Sequence, residues 1–421
     1  MICSLNYKFL FNPFVYLTKQ VSQALYTFIT DHADDDLAQL LLAANRYPEI
    51  DVPFAVEQIR ARRYICEKIP TWYANPALLF PSKTAVEQCS SEHTARYKQR
   101  LIQYEHYLCD LTGGLGVDTY YFALKAKQVV YVECSKACFD IAMYNFSQLQ
   151  IHNIKCYNDE AKNVLKKMQP VDVIYIDPAR RNEHNRRVFA LSDCEPDLVK
   201  IMPLLFVKTP KVIAKLSPML DIRHTLVLLP KTNEIHIISV KNECKELLFV
   251  CQREIENPDP DIHCINYTAE GDEQSFCFTL YDEHSKECAI SNSLHTYLYE
   301  PNASILKAGG FKQIAIQVNV KKLHKNSHLY TSDKLITSFP GRIFQVLEVF
   351  PFTGKLCKHI HRIIPQANIT TRNFPLQVSE LRRRFSIADG GDCYLFATTL
   401  NDDKKVIIQC RKVVISAIIP S

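Results

Sequence analysis

The stretch "YLCDLTGGLGVDTYYFALKAKQVVYVECS", residues 107–135, indicates the fold class of this 421-residue chain. An apolar run ends at Asp110, a glycine-containing turn and a helix-like segment follow, and a second apolar run ends near Glu133. Strand, turn, helix and strand in this order predict two parallel strands joined by a crossover helix. Because ligands of such sheets bind at the carboxyl ends of the strands, both carboxylates are expected at one binding edge.

The alternation of strands and helices continues over residues 105–251 and predicts an α/β fold with a doubly wound sheet. Seven short apolar runs are candidate strands: 106–110, 128–133, 154–158, 171–177, 211–216, 235–240 and 246–251. Helical segments separate the first five, which predicts parallel strands with helices on both faces. The short connection "KNECK" between the last two permits an antiparallel pair. Before the sheet, acid- and proline-bounded segments predict a helical region.

Four carboxylates end or follow strands of the predicted sheet. They are Asp110, Glu133, Asp159 and Asp177. Glu133, 23 residues after Asp110, is placed to accept hydrogen bonds from both hydroxyls of a ribose. Asp159 is placed to accept one from an exocyclic amine such as that of adenine. One such acid alone would more often be a solvated strand end, but four in order favour a nucleoside-containing ligand.

The turn "DLTGGLG" contributes four residues to the predicted cofactor site. They are Thr112, Gly113, Gly114 and Gly116. Glycine allows a ligand to approach the backbone closely and tolerates positive φ. NAD would require a further glycine where Thr119 stands. A carboxylate at Asp110 would also lie unfavourably close to a pyrophosphate, whereas it suits the ammonium group of a methionine moiety. The pattern therefore favours S-adenosylmethionine over NAD.

The motifs "DLTGGLG", "YVE", "ND" and "DPAR" resemble the successive motifs of class I S-adenosylmethionine-dependent methyltransferases. Further stretches, among them "PFAVEQIRARR", "EQCSSEHTARYK" and "ELRRRFSIADGGDCYLFATTL", resemble bacterial methyltransferases with a C-terminal THUMP-like domain, typical of Bacteroidetes. The resemblance implies a Rossmann-like seven-stranded methyltransferase sheet between a helical region and an α+β THUMP-like domain. The predicted bounds are 1–104 for an N-terminal extension and helical region, 105–251 for the Rossmann-like domain, 252–300 for a small ferredoxin-like or linking segment, and 301–421 for the basic THUMP-like domain.

The motif "DPARR" places the predicted catalytic residues Asp177, Pro178 and Arg180 after the fourth strand. In class I methyltransferases this position faces the methyl group, and alignment of nucleophile, carbon and sulfur supplies much of the rate. Enzymes that methylate exocyclic amines often carry Asp/Asn-Pro-Pro-Tyr or -Phe here. This chain has Ala179 and Arg180 instead, so no stacking aromatic follows the proline. Arg180 and Arg181 are predicted to contact RNA phosphates, with a surface salt-bridge pair as the alternative.

The same motif also resembles RNA uracil C5-methyltransferases, which need a cysteine nucleophile near the end of the fifth strand. That strand ends "AKLSPM" here, with Ser217 in place of a thiol. Serine is a poor nucleophile for this reaction because its alkoxide is little populated. C5 chemistry is therefore not expected. The segment 88–94 fits either a lid over the methionine end of the cofactor or a helix start with a capping box.

Charge is unevenly distributed along the chain. Residues 301–421 hold 18 Lys and Arg against 7 Asp and Glu, whereas residues 1–300 hold 32 against 38. The resulting balances of +11 and −6 suggest a polyanionic partner for the tail. In "VKKLHK" the alternation indicates a strand that presents Lys321 or Lys322, together with Lys325, to phosphate. A basic surface without a partner is the alternative.

The 16 cysteines form no CxxC pair, which indicates reduced thiols and a cytoplasmic protein, and no metal is assigned to the site. Lys8 and Pro13 argue against a signal peptide, and no apolar run approaches a membrane span. We expect a methyltransferase that modifies a base nitrogen of rRNA or tRNA by direct transfer. The alternatives are a small-molecule or protein methyltransferase, and a catalytically silent RNA-binding protein with the same fold.

Overall fold

A computed structural model of the chain describes residues 22–180, 191, 194–255 and 259–414. The chain divides into two compact units. The first comprises Met1–Leu216, Arg223–Lys231 and Val250–Glu254, and the second comprises Ser217–Ile222, Thr232–Phe249 and Ile255–Ser421. Predictions for residues 1–20 and for Arg181 lie outside the described residues.

The first unit begins with the predicted helical region. Its helices are α1 Gln23–Asp31, α2 Leu37–Leu42, α3 Val52–Lys68, α4 Pro70–Tyr73, α5 Lys83–Gln88 and α6 Glu92–Gln99. Most of these helices begin at a residue whose side chain accepts a hydrogen bond from a backbone N–H group of the first turn. These capping residues are Ser22, Asp36, Asp51, Ser82 and Ser91. This part of the prediction is confirmed.

Two buried amides hold the extended segment 78–80 inside this unit. The Gln58 side chain donates to the Phe80 carbonyl and accepts from the Phe80 N–H, at 2.8 and 2.9 Å. The Asn145 side chain does the same for Leu79, at 2.8 and 3.0 Å. Each pair of bonds satisfies backbone groups that burial would otherwise leave unpaired. The core around this segment contains Trp72, the only tryptophan of the chain, which is fully buried.

Alternating strands and helices follow. They are β1 Tyr107–Asp110, α7 Val117–Ala123, β2 Gln128–Val132, α8 Lys136–Gln148, β3 Ile154–Tyr157, α9 Ala161–Lys167, β4 Val173–Ile176, β5 Ala179–Arg180, β6 Cys194–Glu195, α10 Leu198–Lys208, β7 Lys211–Leu216 and α11 Ile222–Leu228. Strands β7, β4, β1, β2 and β3 are adjacent in that order, and all of their pairings are parallel. Asp110 pairs in register with Tyr131 and Tyr175, so Glu133 and Asp177 follow at the same edge.

Further strands of the large sheet follow along the chain. They are β8 Thr232–Val240, β9 Glu243–Gln252, β10 Asp261–Tyr267 and β11 Glu273–Thr279. The hydrogen-bonding order through the large sheet is β11-β10-β8-β9-β7-β4-β1-β2-β3. Within the described residues the sheet therefore has nine strands, where the sequence predicted seven. Residues 252–300 were predicted as a separate segment, but β10 pairs parallel with β8, and β11 antiparallel with β10, because β10 is apolar enough to bury Ile262 and Cys264 completely.

The rest of the second unit is built on another sheet. Its elements are α12 Leu280–Ser285, β12 Tyr297–Pro301, α13 Ala303–Ala308, α14 Phe311–Val318, β13 Lys321–Lys322, β14 Tyr330–Ser332, β15 Gly341–Pro351, α15 Gly354–Ile363, β16 Asn368–Arg372, α16 Val378–Phe385, β17 Cys393–Thr399 and β18 Lys405–Lys412. The strand order is β13-β14-β12-β15-β18-β17-β16. Leu381 and Phe385 of α16 and Ile360 of α15 share a core cluster with residues of β16–β18. The predicted α+β character of the tail is confirmed.

Within the ranges that the structure describes, no helix combines the length and the apolar character needed to span a membrane.

Candidate functional site

Asp110 supports the turn after β1 from inside the protein. One carboxylate oxygen accepts the Thr112 N–H at 3.0 Å, and the other accepts the Thr119 hydroxyl at 2.6 Å. The residue is 1% exposed. A direct contact between Asp110 and a ligand ammonium, as expected from the sequence, is therefore disfavoured, because both oxygens are bonded within the protein and no solvent-facing surface remains. Its charge can still act on a cation held at the neighbouring edge.

Burial raises the pKa of Asp110 to about 7. The bonds from Thr119 and Thr112 favour the carboxylate and oppose this shift, while the negative charges of Asp118 and Asp177 add to it. Asp110 consequently changes protonation near neutral pH. A cation bound beside it would favour the ionised form, so cofactor binding and proton release are expected to be linked.

The three glycines of the turn meet different steric demands. A Cβ on Gly113 would lie 2.1 Å from the ring of Tyr131, and a Cβ on Gly116 would lie 2.6 Å from the ring of Phe146. Gly114 and Gly116 have φ values of 53° and 84°, which disfavour residues with a Cβ. Tyr131, which the sequence reasoning did not single out, also donates its hydroxyl to the Gly114 carbonyl at 2.6 Å.

The Glu133 carboxylate is held in place by backbone donors. Its Oε2 accepts the Gly114 N–H at 2.8 Å and its Oε1 accepts the Ser135 N–H at 2.6 Å. An ionised carboxylate has about four acceptor positions. The Cys134 thiol also donates to Oε1, at 3.6 Å, so one position is unoccupied and another is held only by this weak donor. These two positions remain for the pair of ribose hydroxyls that the sequence assigned to Glu133.

Asp159 follows β3 at the same edge of the sheet. One carboxylate oxygen accepts the Asn163 amide at 2.9 Å and the Glu160 N–H at 2.8 Å. These two bonds, the Asn163 bond first, lower the pKa of Asp159. The adjacent Asn158 donates to the Glu133 carbonyl at 2.8 Å and so ties the ends of β2 and β3 together. Asp159 therefore stays ionised at neutral pH, as an acceptor for an amine requires.

Asp177 has two partners that orient it. Its backbone N–H donates to the Thr112 hydroxyl at 2.6 Å, and its carboxylate forms an ion pair with Lys215 at the end of β7. Thr112 thus positions the residue expected at the methyl-transfer centre. Lys215 was missed, although a lysine inside the apolar run "KVIAKL" is the kind of signal that could have identified it. Pro178 is buried beside Asp177.

Another ion pair, more deeply buried, lies in the same unit. Lys98 Nζ is 3.0 Å from Asp118 Oδ1, and the Lys98 side chain is fully buried. Ser90 and Tyr175 donate their hydroxyls to Asp118 at 2.7 and 2.8 Å. Burial alone would raise the pKa of Asp118, but the positive charges of Lys98 and Lys215 outweigh it and lower that pKa. These charges join α6, α7 and the strand ends into one electrostatic network.

Residues of segment 88–94 cap helix α6 and take part in this charge network. Ser91 caps α6 by accepting the Thr94 N–H at 3.3 Å, which matches the helix-start interpretation. Ser90 accepts from Lys98 Nζ at 2.7 Å. Burial raises the pKa of Cys89 to about 11, so this thiol is protonated at neutral pH. It is therefore a poor candidate for a covalent nucleophile.

The arginines of "DPARR" are described only in part. Ala179 and Arg180 form a two-residue strand, β5, that pairs antiparallel with β6. Residues 181–190 and 192–193, which include Arg181, lie outside the described residues, and the phosphate contacts assigned to both arginines stay predictions.

The lysines assigned to phosphate in the second unit differ in exposure. Lys321 and Lys325 are exposed, whereas Lys322 is 4% exposed and donates to the Lys325 carbonyl at 2.8 Å. Burial lowers the pKa of Lys322. The assignment of Lys322 to phosphate is therefore corrected: alternation in β13 turns its side chain inward, and its ammonium group is used inside the protein.

Helix α15 carries a basic face that the sequence reasoning missed. Lys355, Lys358, His359 and Arg362 are spaced i, i+3, i+4 and i+7 and are all exposed. This spacing places them on one side of a helix, and we call them the α15 stripe. Elsewhere in the tail, Arg342 and Arg372 both pair with buried Glu300, so part of the +11 balance is used internally.

The parallel sheet of the first unit, its glycine turn after β1 and the carboxylates at its strand ends define the fold of the class I methyltransferases. A solved structure of a candidate methyltransferase from Porphyromonas gingivalis W83 is 36% identical, over 93% of this chain and 98% of that chain, with a TM-score of 0.84. The chain belongs to the same family, the bacterial methyltransferases with a C-terminal THUMP-like domain.

Family models add domain bounds. One described as a ferredoxin-like domain matches residues 297–340, and one described as THUMP domain-like matches residues 341–412. The first overlaps the predicted segment 252–300 only at residues 297–300, and the second lies within the predicted domain 301–421. The shift agrees with the use of β10 and β11 in the large sheet.

Two more distant structures match only part of the chain. A candidate methyltransferase from Streptococcus mutans, in complex with SAH, is 13% identical over 38% of this chain and 96% of that chain. An rRNA methylase from Streptococcus thermophilus is 12% identical, again over 38% of this chain and 96% of that chain. Both TM-scores are 0.29, and similarities this low carry no argument here. No curated protein matches the chain.

Proposed function

We propose that the protein is an S-adenosylmethionine-dependent methyltransferase that acts on a base nitrogen of rRNA or tRNA in the cytoplasm. The observation that carries this proposal is the set of carboxylates Glu133, Asp159 and Asp177 at one edge of the sheet, beside a glycine turn supported by Asp110. The arrangement fits a ligand that combines a ribose, an exocyclic amine and a positive charge.

The residues present fit the cofactor. Backbone donors pre-orient Glu133, which keeps one unoccupied acceptor position and a second held only by the Cys134 thiol for the ribose hydroxyls. Ionised Asp159 offers an acceptor for the adenine amine. A Cβ on Gly114 would meet only the Thr112 carbonyl, at 4.0 Å, so there is space beside the backbone at this point of the turn. The charge of Asp110 favours a nearby ammonium group. When bound, S-adenosylmethionine supplies an electrophilic methyl group on a sulfonium.

The chain's own contribution to the reaction is the orientation of the nucleophile. The Asp177 carboxylate is positioned to accept a hydrogen bond from the N–H of an incoming base, which directs the nitrogen lone pair at the methyl carbon. Lys215 forms an ion pair that fixes the rotamer of this carboxylate, and Thr112 fixes its backbone. As positive charge develops on the nitrogen, Asp177 stabilises it and can take up the proton that leaves.

Support for RNA as the substrate comes from the second unit. The α15 stripe, with exposed Lys321 and Lys325, offers cations to a phosphate backbone. Phosphate contacts of this kind dominate nucleic-acid affinity and make it depend on salt. The THUMP-like match at residues 341–412 includes α15 and is consistent with this use.

The cofactor proposal is tested by isothermal titration of S-adenosylmethionine into Glu133→Ala. Loss of a charged acceptor for two hydroxyls is expected to cost roughly 2–4 kcal/mol, or about 30- to 1,000-fold in affinity. Glu105→Ala is the control, because the Glu105 side chain is 87% exposed and makes only a 3.9 Å ion pair. Unchanged affinity in Glu133→Ala would refute the proposed ribose site.

The reaction is tested by mass spectrometry of nucleosides from rRNA and tRNA of a deletion strain, followed by assay of Asp177→Ala on the RNA found. Turnover is expected to fall on the order of a hundredfold or more, with cofactor affinity nearly unchanged. No missing modification in either pool would favour a small-molecule or protein substrate, or a silent RNA-binding protein. Covalent trapping on 5-fluorouracil-substituted RNA would contradict direct transfer.

A further inference from the structure

Two histidines and a glutamate converge on one face of the second unit's part of the large sheet. Glu234 and His236 are two residues apart on β8, so their side chains point to the same face. Strand β10 pairs parallel with β8 and places His263 opposite His236. On β11, Cys277 lies opposite His263. The strand register thus brings together glutamate, histidine and cysteine, three kinds of residue that bind metals, from strands β8, β10 and β11.

The geometry of this group is compact. One potential ligand atom of each of Glu234, His236 and His263 lies within 4.8 Å of the other two. The imidazole rings are stacked, with centroids 4.6 Å apart and planes 10° apart. His236 Nε2 is 3.1 Å from Glu234 Oε2. Ligands at about 2.1 Å from a tetrahedral ion stand roughly 3.4 Å from one another, so small side-chain rotations would suffice to enclose one.

The environment distinguishes this group from a solvated surface cluster. His236 is 3% exposed, and Glu234 and His263 are half-buried. The Glu234–His236 hydrogen bond accounts for one pair of atoms, but it does not explain why a second imidazole stacks beside it. A divalent cation bound by all three would compensate the carboxylate charge in this partly desolvated place.

We propose that Glu234, His236 and His263 bind a divalent first-row transition metal ion, with Zn²⁺ as the expected occupant. Two imidazoles and one carboxylate form a ligand set that Zn²⁺ accepts with a fourth position left open. Water completes the coordination in this arrangement. The ion links β8 to β10 and thereby stabilises the strands that extend the sheet beyond seven. The inference does not depend on the proposed methyltransferase function.

The site is tested with the full-length protein and metal alone. Zn²⁺ affinity is measured by competition with a chromophoric chelator for wild type, His263→Gln and His359→Ala. The glutamine keeps size and hydrogen-bonding capacity, and His359→Ala removes an exposed histidine as the matched control. One tight equivalent is expected in wild type and His359→Ala, and loss on the order of a hundredfold or more in affinity in His263→Gln.

Co²⁺ provides a second readout, because its visible spectrum reports the ligands and the geometry of the bound ion. Visible d–d bands are expected in wild type and in Cys277→Ser, and these bands are expected to vanish in His236→Gln and His263→Gln. Zn²⁺ is also expected to raise the melting temperature of wild type but not of His263→Gln. Equal Zn²⁺ affinity in wild type and His263→Gln, or Co²⁺ bands that require Cys277 and persist without His263, would overturn the proposal.

Discussion

The buried carboxyl group of Asp110 predicts a pH dependence of stability with an unusual sign for an acid. Its pKa is raised from 3.8 to about 7 in the folded protein, because burial disfavours the charge. Between about pH 4 and pH 7 the unfolded chain has lost this proton while the folded protein keeps it. The contribution of Asp110 to the free energy of unfolding is therefore fully present below pH 4 and is lost as the pH rises toward 7.

The magnitude follows from the shift of about three pKa units. At about 1.4 kcal/mol per unit, wild type should lose on the order of 4 kcal/mol of unfolding free energy across this window relative to Asp110→Asn. The asparagine preserves both hydrogen bonds, since its oxygen accepts from the Thr112 N–H and its amide donates to the Thr119 hydroxyl. When the unfolding free energy of Asp110→Asn is subtracted from that of wild type, the contributions of all other titrating groups cancel.

Trp72 makes the measurement specific to the first unit. It is the only tryptophan in the chain and is fully buried in that unit's core, so its fluorescence reports urea unfolding there. Asp159→Asn is the control. The pKa of Asp159 is lowered in the folded protein, so this carboxylate stabilises the fold at neutral pH, and the stabilisation is lost only as the pH falls below about 4. A difference between wild type and Asp110→Asn that stays flat from pH 4.5 to 8 would refute the reasoning.

Three further outcomes are expected. Gly113→Ala should destabilise the first unit by about 1–3 kcal/mol in the same urea assay, because its Cβ meets the Tyr131 ring at 2.1 Å; an unfolding free energy equal to that of wild type would contradict this reason. Lys215→Met should lower kcat about ten- to a hundredfold with little effect on cofactor affinity, since it removes the partner that orients Asp177; a changed affinity with normal kcat would contradict this role. Reversal of the three Lys and Arg charges of the α15 stripe should weaken RNA binding and reduce the slope of log affinity against log salt by up to about 2, while reversal of three exposed lysines at 241, 245 and 286 should change neither as much.

Much of the fold was predictable because it is encoded locally. Apolar runs, capping residues and a glycine turn alternate along residues 105–251, and each depends on neighbours within a few positions. The carboxylates at the strand ends were predictable for the same reason: parallel strands bring their carboxyl ends to one edge whatever packs around them. Glu133 and Asp177 thus reach the same edge through a register that the strand pattern already implies.

The features of the fold that the sequence did not predict depend on contacts between residues far apart in the chain. Strands β10 and β11 extend the sheet only because β8 offers them an edge, and no local pattern distinguishes this from a separate hairpin. The alternation in "VKKLHK" indicated that Lys321 and Lys322 face opposite sides, but only packing decided that Lys322 is the buried one.

The same limit applies to the site. Lys98, Asp118 and Lys215 come from widely separated segments, and their charges matter because burial removes the water that would otherwise screen them. The sequence by itself determined which strand ends carry acids and where the backbone can turn. Only the tertiary structure decided which of those acids is buried, paired or open, because desolvation is a property of everything packed around a group and not of its neighbours in sequence.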